Sequence, residues 1–92
     1  MADETDKQPE LLEFPCRFPI KVMGRDDADF RTAAVDIVSR HVGDIDERDI
    51  RIAPSSKGNF VSVTVFIDAQ SQQQLDAIYQ DLTANEDVLF SL

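Results

Sequence analysis

The segment Phe60–Asp68 constrains the fold more than any other part of this 92-residue sequence. Its β-branched residues recur at every second position, as Val61, Val63, Val65 and Ile67. Because successive side chains of a strand point to opposite faces of a sheet, this row predicts a strand with one fully buried face. A run of four β-branched residues on that face is typical of a central, well-packed strand.

An earlier segment alternates in the same way. Apolar Phe18, Ile20 and Val22 are interleaved with Pro19, Lys21 and Met23. The alternation predicts a first strand that is buried on one face and ends at Gly24. Since Pro19 has no backbone N–H to donate, the start of this strand must be irregular or face solvent.

Two segments between the strands have helical spacing instead. The first stripe consists of Phe30, Ala33, Ala34, Ile37, Val38 and His41, and the second of Leu75, Ile78, Tyr79 and Leu82. Asp26 or Asp27 can cap the first helix, and Gly43 follows where its C-terminal cap would lie. Ser71 and Gln74 form a capping-box pattern for the second helix.

Two shorter alternating segments complete the chain. Ile50 and Ile52 lead up to Pro54, and Val88, Phe90 and Leu92 alternate at the C-terminus. The element order is therefore strand, helix, strand, hairpin, strand, helix, strand. This order predicts an α+β, ferredoxin-like βαββαβ sandwich: a four-stranded antiparallel sheet of order 4-1-3-2 with two helices on one face.

The charge is distributed unevenly along the sequence. Eighteen acidic and nine basic residues give a net charge of −9, and residues 1–13 contribute −4 of it. We expect residues 1–13 to be a flexible acidic tail, followed by a single domain at 14–92. The acidic excess disfavours nucleic acid and anionic membranes as partners, because both are bound through clustered Lys and Arg.

Residues that could support catalysis are few. His41 is the only histidine and Cys16 the only cysteine, so neither has a second such residue for a metal site, a catalytic triad or a disulfide. We therefore expect a protein without catalytic residues, metal or cofactor. The single thiol and the absence of a long apolar run predict a cytoplasmic location with no membrane attachment.

The face of the sheet opposite the helices is the first candidate binding surface. It would present Lys21, Met23, Phe60, Ser62, Thr64 and Phe66. A half-apolar surface of this kind is where a partner or a second copy of the chain would bind.

The second candidate is one end of the sheet, formed by Gly24, Arg25 and the turn that precedes Phe60. That turn consists of Ser55, Ser56, Lys57, Gly58 and Asn59. Its amides, its hydroxyls and Lys57 can cradle a small anion, and Arg25 would add to a local basic spot. The alternative is an ordinary hairpin turn of typical turn residues. Phe60 after Lys57-Gly58 also invites comparison with RNA-recognition modules, but Asn59 replaces the expected aromatic residue and the net charge opposes RNA.

Three stretches resemble a known family. They are Leu11-Leu12-Glu13-Phe14-Pro15, Phe18-Pro19-Ile20-Lys21-Val22-Met23-Gly24, and Pro54-Ser55-Ser56-Lys57-Gly58-Asn59-Phe60. They are similar to the YbeD-like family of small, functionally uncharacterised bacterial proteins, from Leu11 to Leu92. The resemblance implies the βαββαβ fold and similarity to ACT-type regulatory domains, which bind small ligands, often across a dimer interface. It also implies a metabolic context near lipoate attachment.

These observations lead to one main hypothesis and two alternatives. The main hypothesis is a non-enzymatic, ACT-like regulatory module that acts by contact with a protein partner or by binding a small anionic ligand. The first alternative is a homodimeric structural adaptor without a ligand. The second alternative, which the charge disfavours, is an RNA-binding module.

Overall fold

The computed structural model describes residues 13–55 and 58–91 of the chain. The elements are β1 (Cys16–Arg25), α1 (Ala28–Val42), a 3-10 helix (Glu47–Asp49), β2 (Ile50–Pro54), β3 (Phe60–Ala69), α2 (Gln72–Ala84) and β4 (Val88–Ser91). All strand pairs are antiparallel, and the order is β2-β3-β1-β4. The predicted ferredoxin-like α+β fold is thereby confirmed. The predicted tail, apart from Glu13, lies outside the described residues, as do Ser56, Lys57 and Leu92.

The core lies between the sheet and the two helices. Ile20 of β1 is in register with Val65 of β3, and Val22 with Val63, and all four side chains are fully buried. From the helices, Phe30 of α1 and Leu75, Ile78 and Leu82 of α2 complete the same cluster. The predicted valine row thus forms the centre of the core, because β3 is paired on both sides by β1 and β2.

The predicted caps set the boundaries of the helices. The Asp27 carboxylate accepts a hydrogen bond of 2.7 Å from the Phe30 amide at the start of α1, and Gly43 ends the helix with a φ of 87°. Ser71 accepts a bond of 3.1 Å from the Gln74 amide at the start of α2. The Gln74 side chain also donates to the His41 carbonyl, so the second helix helps to cap the end of the first.

The prediction that the first strand ends at Gly24 is wrong. β1 continues through Gly24 to Arg25, and its register with β4 shifts between Met23 and Gly24. Gly24 is instead a close-packing position: a Cβ there would lie 2.5 Å from the buried Phe30 ring and 2.7 Å from the Asp87 carbonyl oxygen. Because glycine has no side chain, α1 and the loop before β4 can approach the strand closely at this position.

The helices of the described residues have no membrane-spanning character. Neither one is both long enough and apolar enough to cross a bilayer.

Candidate functional site

The sheet surface opposite the helices, here called the open face, is the candidate functional site. Its positions follow from the period of two in β1 and β3 and from the pairing of β2 with β3. They are Arg17, Pro19, Lys21, Met23 and Arg25 on β1, Phe60, Ser62, Thr64, Phe66 and Asp68 on β3, and Arg51 and Ala53 on β2. Because both helices lie on the other side of the sheet, no described helix covers these positions.

Positive charge is concentrated on the open face. Arg17, Lys21, Arg25 and Arg51 are four of the nine basic residues in the sequence, whereas Asp68 is the one acidic residue at the positions named above. All four basic residues are solvent-exposed. The acidic residues of the two helices, such as Asp36 and Asp76, lie on the opposite side of the sheet. The protein is thus acidic as a whole and basic on this one face.

The arginines of the open face lie over its two phenylalanine rings. The Arg25 guanidinium carbon is 6.0 Å from the centroid of the Phe60 ring. The Phe66 ring has two such neighbours, with Arg51 at 5.5 Å and Arg17 at 6.0 Å. These are cation–π distances, and each ring is half-buried beneath its guanidinium groups.

Arg17 differs from the other cations of the open face because it is paired with acids. Its guanidinium contacts the carboxylates of Asp49 and Asp68. None of the ion pairs found between described residues involves Lys21, Arg25 or Arg51. Among the described residues, these three cations of β1 and β2 therefore have no ion-pair partner.

The predicted anion-binding end is assembled only in part. Arg25 is in register with Phe60, and the Asp26 amide donates a 3.1 Å hydrogen bond to the Asn59 carbonyl, so β1 and the hairpin do meet there. Gly58 has a φ of 78° and its amide donates to the Ser55 carbonyl. These are the geometry and the bonding of a hairpin turn. The other two predicted residues of this site, Ser56 and Lys57, lie outside the described residues.

The surroundings of this end are acidic. The Asp27 side chain already accepts the amide at the start of α1, which is the group that an anion would use. A small cavity of about 70 Å³ beside Arg25 is lined by Asp27, Glu86 and Asp87 as well. Gly24 is buried under Phe30 and presents no open backbone to a ligand. These neighbours disfavour a small anion bound in the turn or at the start of α1, whereas the Arg25 guanidinium itself lies over the Phe60 ring on the open face.

The two residues with catalytic potential, His41 and Cys16, each contact other elements of the fold. The His41 imidazole Nε2 lies 2.6 Å from a carboxylate oxygen of Asp81, which links α1 to α2. Cys16 is half-buried and packs against the core. Within residues 13–55 and 58–91, no group of three His, Cys, Asp or Glu side chains is arranged to hold a metal ion.

Arg17 and Arg51 belong to the site although they were not among the predicted site residues. Arg17 could have been found from the sequence, because it precedes Lys21 by four positions on an alternating strand. Arg51 could not, because its position over Phe66 depends on the register Arg51↔Thr64 between β2 and β3.

Comparisons with known proteins match nearly the whole domain. A family model described as "Protein of unknown function (DUF493)" matches residues 9–92. A UPF0250 protein of Chromobacterium violaceum is 44% identical over 81 residues, covering 88% of this chain and 91% of its own. One from Neisseria meningitidis serogroup B is 43% identical over 83 residues, covering 90% and 91%. One from Pseudomonas aeruginosa is 46% identical over 85 residues, covering 91% of both chains.

Proposed function

Since this chain belongs to the family described as "Protein of unknown function (DUF493)", we propose a function from its open face: a non-enzymatic binding module that recognises an acidic segment of a partner protein. Membership of this family of small bacterial proteins also agrees with the YbeD-like resemblance. The proposal rests on one observation: cations that have no ion-pair partner among the described residues are concentrated on the uncovered face of an otherwise acidic protein.

The chemistry of the open face suits carboxylates. A guanidinium that lies over an aromatic ring keeps its N–H donors directed outward in its own plane. Those donors can form two parallel hydrogen bonds with one carboxylate, and charge-assisted bonds of this kind are among the stronger ones in proteins. The guanidinium carbons of Arg25 and Arg51 lie 6.0 and 5.5 Å from their ring centroids, and neither residue is ion-paired among the described residues. Lys21 of β1 is in register with Thr64, which is also the β3 partner of Arg51.

The spacing of the two phenylalanines defines the length of the segment. Phe60 and Phe66 lie on the same strand, and six residues of a strand span roughly 20 Å. A bound extended segment would therefore place one acidic side chain near Arg25 and another near Arg51, about six residues apart.

A protein segment fits the open face better than RNA does. Single-stranded RNA is held mainly by bases that stack on exposed aromatic rings. Here the rings of Phe60 and Phe66 are covered by guanidinium groups, so bases would have to displace them. The net charge of −9 also repels a continuous polyanion more than it repels a segment with two acidic positions.

A protein segment also fits better than a free small anion. The cations of the open face are distributed along the strands and do not converge on one point. At the turn end, where a small anion was expected, the amide at the start of α1 already donates to the Asp27 carboxylate and is not free to bind one. We assign the module a regulatory role in the cytoplasm, in which occupancy of the open face by the partner is the signal.

The test uses a fluorescein-labelled peptide with two Glu-Asp clusters six residues apart, measured by fluorescence anisotropy. We expect binding that weakens as salt is added, because the contacts are charge pairs near the surface. The double variant Lys21→Glu/Arg51→Glu should weaken binding at least about 10-fold. The matched control Arg40→Glu/Arg48→Glu has the same net charge but changes α1 and the 3-10 helix, so its affinity should remain within about 3-fold of wild type.

Two results would contradict the proposal. The first is an equal loss of affinity in both double variants, which would mean that only net charge matters. The second is tighter binding of a single-stranded RNA of equal extended length than of the peptide, which would replace the protein partner with nucleic acid. Circular dichroism of each variant verifies that the fold is intact.

A further inference from the structure

The outer edge of β2 is a second unpartnered surface, independent of the open face. β2 pairs with β3 on one side, and no described strand pairs with its other side. The Ser55 amide donates to the Phe60 carbonyl. Because hydrogen-bonded and non-hydrogen-bonded residue pairs alternate along two antiparallel strands, Arg51 and Ala53 also direct their backbone groups toward β3. The N–H and C=O of Ile52 therefore point outward from the sheet. Pro54, which has no N–H, also lies at an outward position, as prolines of edge strands do.

An apolar groove runs beside this edge on the helix side of the sheet. It has a volume of about 480 Å³ and lies between α1 and β2, with Val35, Ile50 and Ile52 as its apolar lining. Ile52 is 47% exposed, although Val63, its partner in register on β3, is fully buried. Burying such a side chain removes apolar surface from water, which makes Ile52 a suitable centre for a contact.

We propose that a second copy of this chain occupies this edge, paired antiparallel through β2 about a two-fold axis at Ile52. Each Ile52 would donate its N–H to the Ile52 carbonyl of the other copy, and the two side chains would meet in the adjoining grooves. On the open face, Arg51 would stand opposite Ala53 of the second copy, so the two arginines do not face each other. Two four-stranded sheets become one sheet of eight strands.

The charges at the two ends of the groove are complementary under this symmetry. α1 and β2 run in opposite directions. β2 is parallel to β1, and α1 returns the chain from the end of β1 to the start of β2. Arg31, in the first turn of α1, therefore lies toward the Pro54 end, where its guanidinium is 3.6 Å from the exposed Asp26 carboxylate of the same copy. Glu47 lies just before the Ile50 end, and Asp36, further along α1, also lines the groove. A two-fold axis at Ile52 exchanges the two ends, which brings Arg31 of each copy to Glu47 of the other.

The edge suits this short symmetric contact better than a long added peptide. The Ile50 amide is already bonded to the Glu47 carbonyl, and Pro54 has no N–H. Ile52 thus supplies the outward N–H of β2 that is not bonded within the described residues. A peptide strand laid along the whole edge would leave its own groups unpaired at both ends, whereas a two-fold contact centred on Ile52 needs only that residue's N–H and C=O.

Sedimentation equilibrium of the full chain tests the proposal. Wild type should sediment as a dimer. Ile52→Lys, which places a charge at the axis, should raise the dimer dissociation constant at least about 10-fold. The matched control is Leu89→Lys, since Leu89 is 53% exposed but lies on β4 at the other edge of the sheet, and its dissociation constant should be that of wild type.

A charge exchange tests the symmetry itself. Arg31→Glu and Glu47→Arg should each weaken the dimer about 2- to 5-fold, as expected for exposed charge pairs. The double variant Arg31→Glu/Glu47→Arg should recover most of the loss, because the opposite charges meet again across the axis. A monomeric wild type, a dimer that Ile52→Lys leaves intact, or a double variant weaker than both single variants would overturn the proposal. Loss of peptide binding to the open face would not, because the residues tested here, Ile52, Arg31 and Glu47, are not among those that the peptide would contact.

Discussion

The two faces of the sheet are built from the same strands and have opposite properties. On the covered face, Ile20, Val22, Val63 and Val65 are completely inaccessible to solvent. On the open face, the residues between them include exposed cations that lie over half-buried phenylalanine rings. The difference shows that one alternating sequence can specify the core and a charged surface at the same time.

The two faces also differ in what they contribute to stability. Each large apolar side chain of the covered face contributes roughly 1.5–3 kcal/mol through burial. An exposed cation–π contact contributes about 0.5–1 kcal/mol. Folding therefore constrains the exposed cations of the open face only weakly.

The largest expected effect comes from adjacent positions on opposite faces. Ile20→Ala should lower the free energy of unfolding by about 3 kcal/mol, because it leaves a cavity against Val65 and the helices. Lys21→Ala, one residue away on the open face, should change it by less than about 0.5 kcal/mol. Urea denaturation followed by circular dichroism measures both. Equal losses would mean that the two faces do not differ in this way.

A smaller effect is expected at Gly24, where the covered face has no space for a side chain. Gly24→Ala should cost about 2 kcal/mol, because its Cβ would collide with Phe30 and the Asp87 carbonyl. Gly58→Ala in the hairpin has open space around its Cβ and should cost only about 1 kcal/mol, from its positive φ. Thermal unfolding of the two variants compares steric packing with backbone strain. A Gly24→Ala variant as stable as wild type would disprove the packing role.

The smallest effect concerns the cation–π contact between Arg51 and Phe66. A double-mutant cycle with Arg51→Met and Phe66→Leu should give a coupling energy of about 0.5 kcal/mol in chemical denaturation. The same cycle with Arg48→Met and Phe66→Leu should give a coupling energy near zero, since the Arg48 side chain is bonded to Asp46 and not to the ring. Equal coupling energies in both cycles would show that the contact between Arg51 and Phe66, on which the proposed site depends, is not specific.

Most of the fold could be predicted because it depends on local patterns. The valine row of β3, the helical stripes and the caps at Asp27, Gly43 and Ser71 all lie where the spacing of residues indicates. Gly24 could not be placed correctly from local pattern. Its effect depends on Phe30 and Asp87, which are brought to it by the packing of α1 and the β4 loop.

The candidate site was predictable only within single strands. Lys21, Met23, Phe60 and Phe66 lie on the open face as predicted, since alternation alone assigns a strand residue to one face or the other. The stacking of Arg51 on Phe66 was not predictable. It depends on how β2 is aligned with β3, and a shift of one residue would turn the arginine to the other face.

The sequence by itself determined which face of each long strand and helix forms the core, because hydrophobic periodicity with two strand–helix–strand halves admits few arrangements. Only the tertiary structure decided which charges share a surface. Arg25 of β1 and Arg51 of β2 are separated in the chain by a helix and a loop, and strand pairing brings both onto the open face. The net charge of −9 is a sum over the chain, whereas the field that a partner meets depends on the positions of the charges in space.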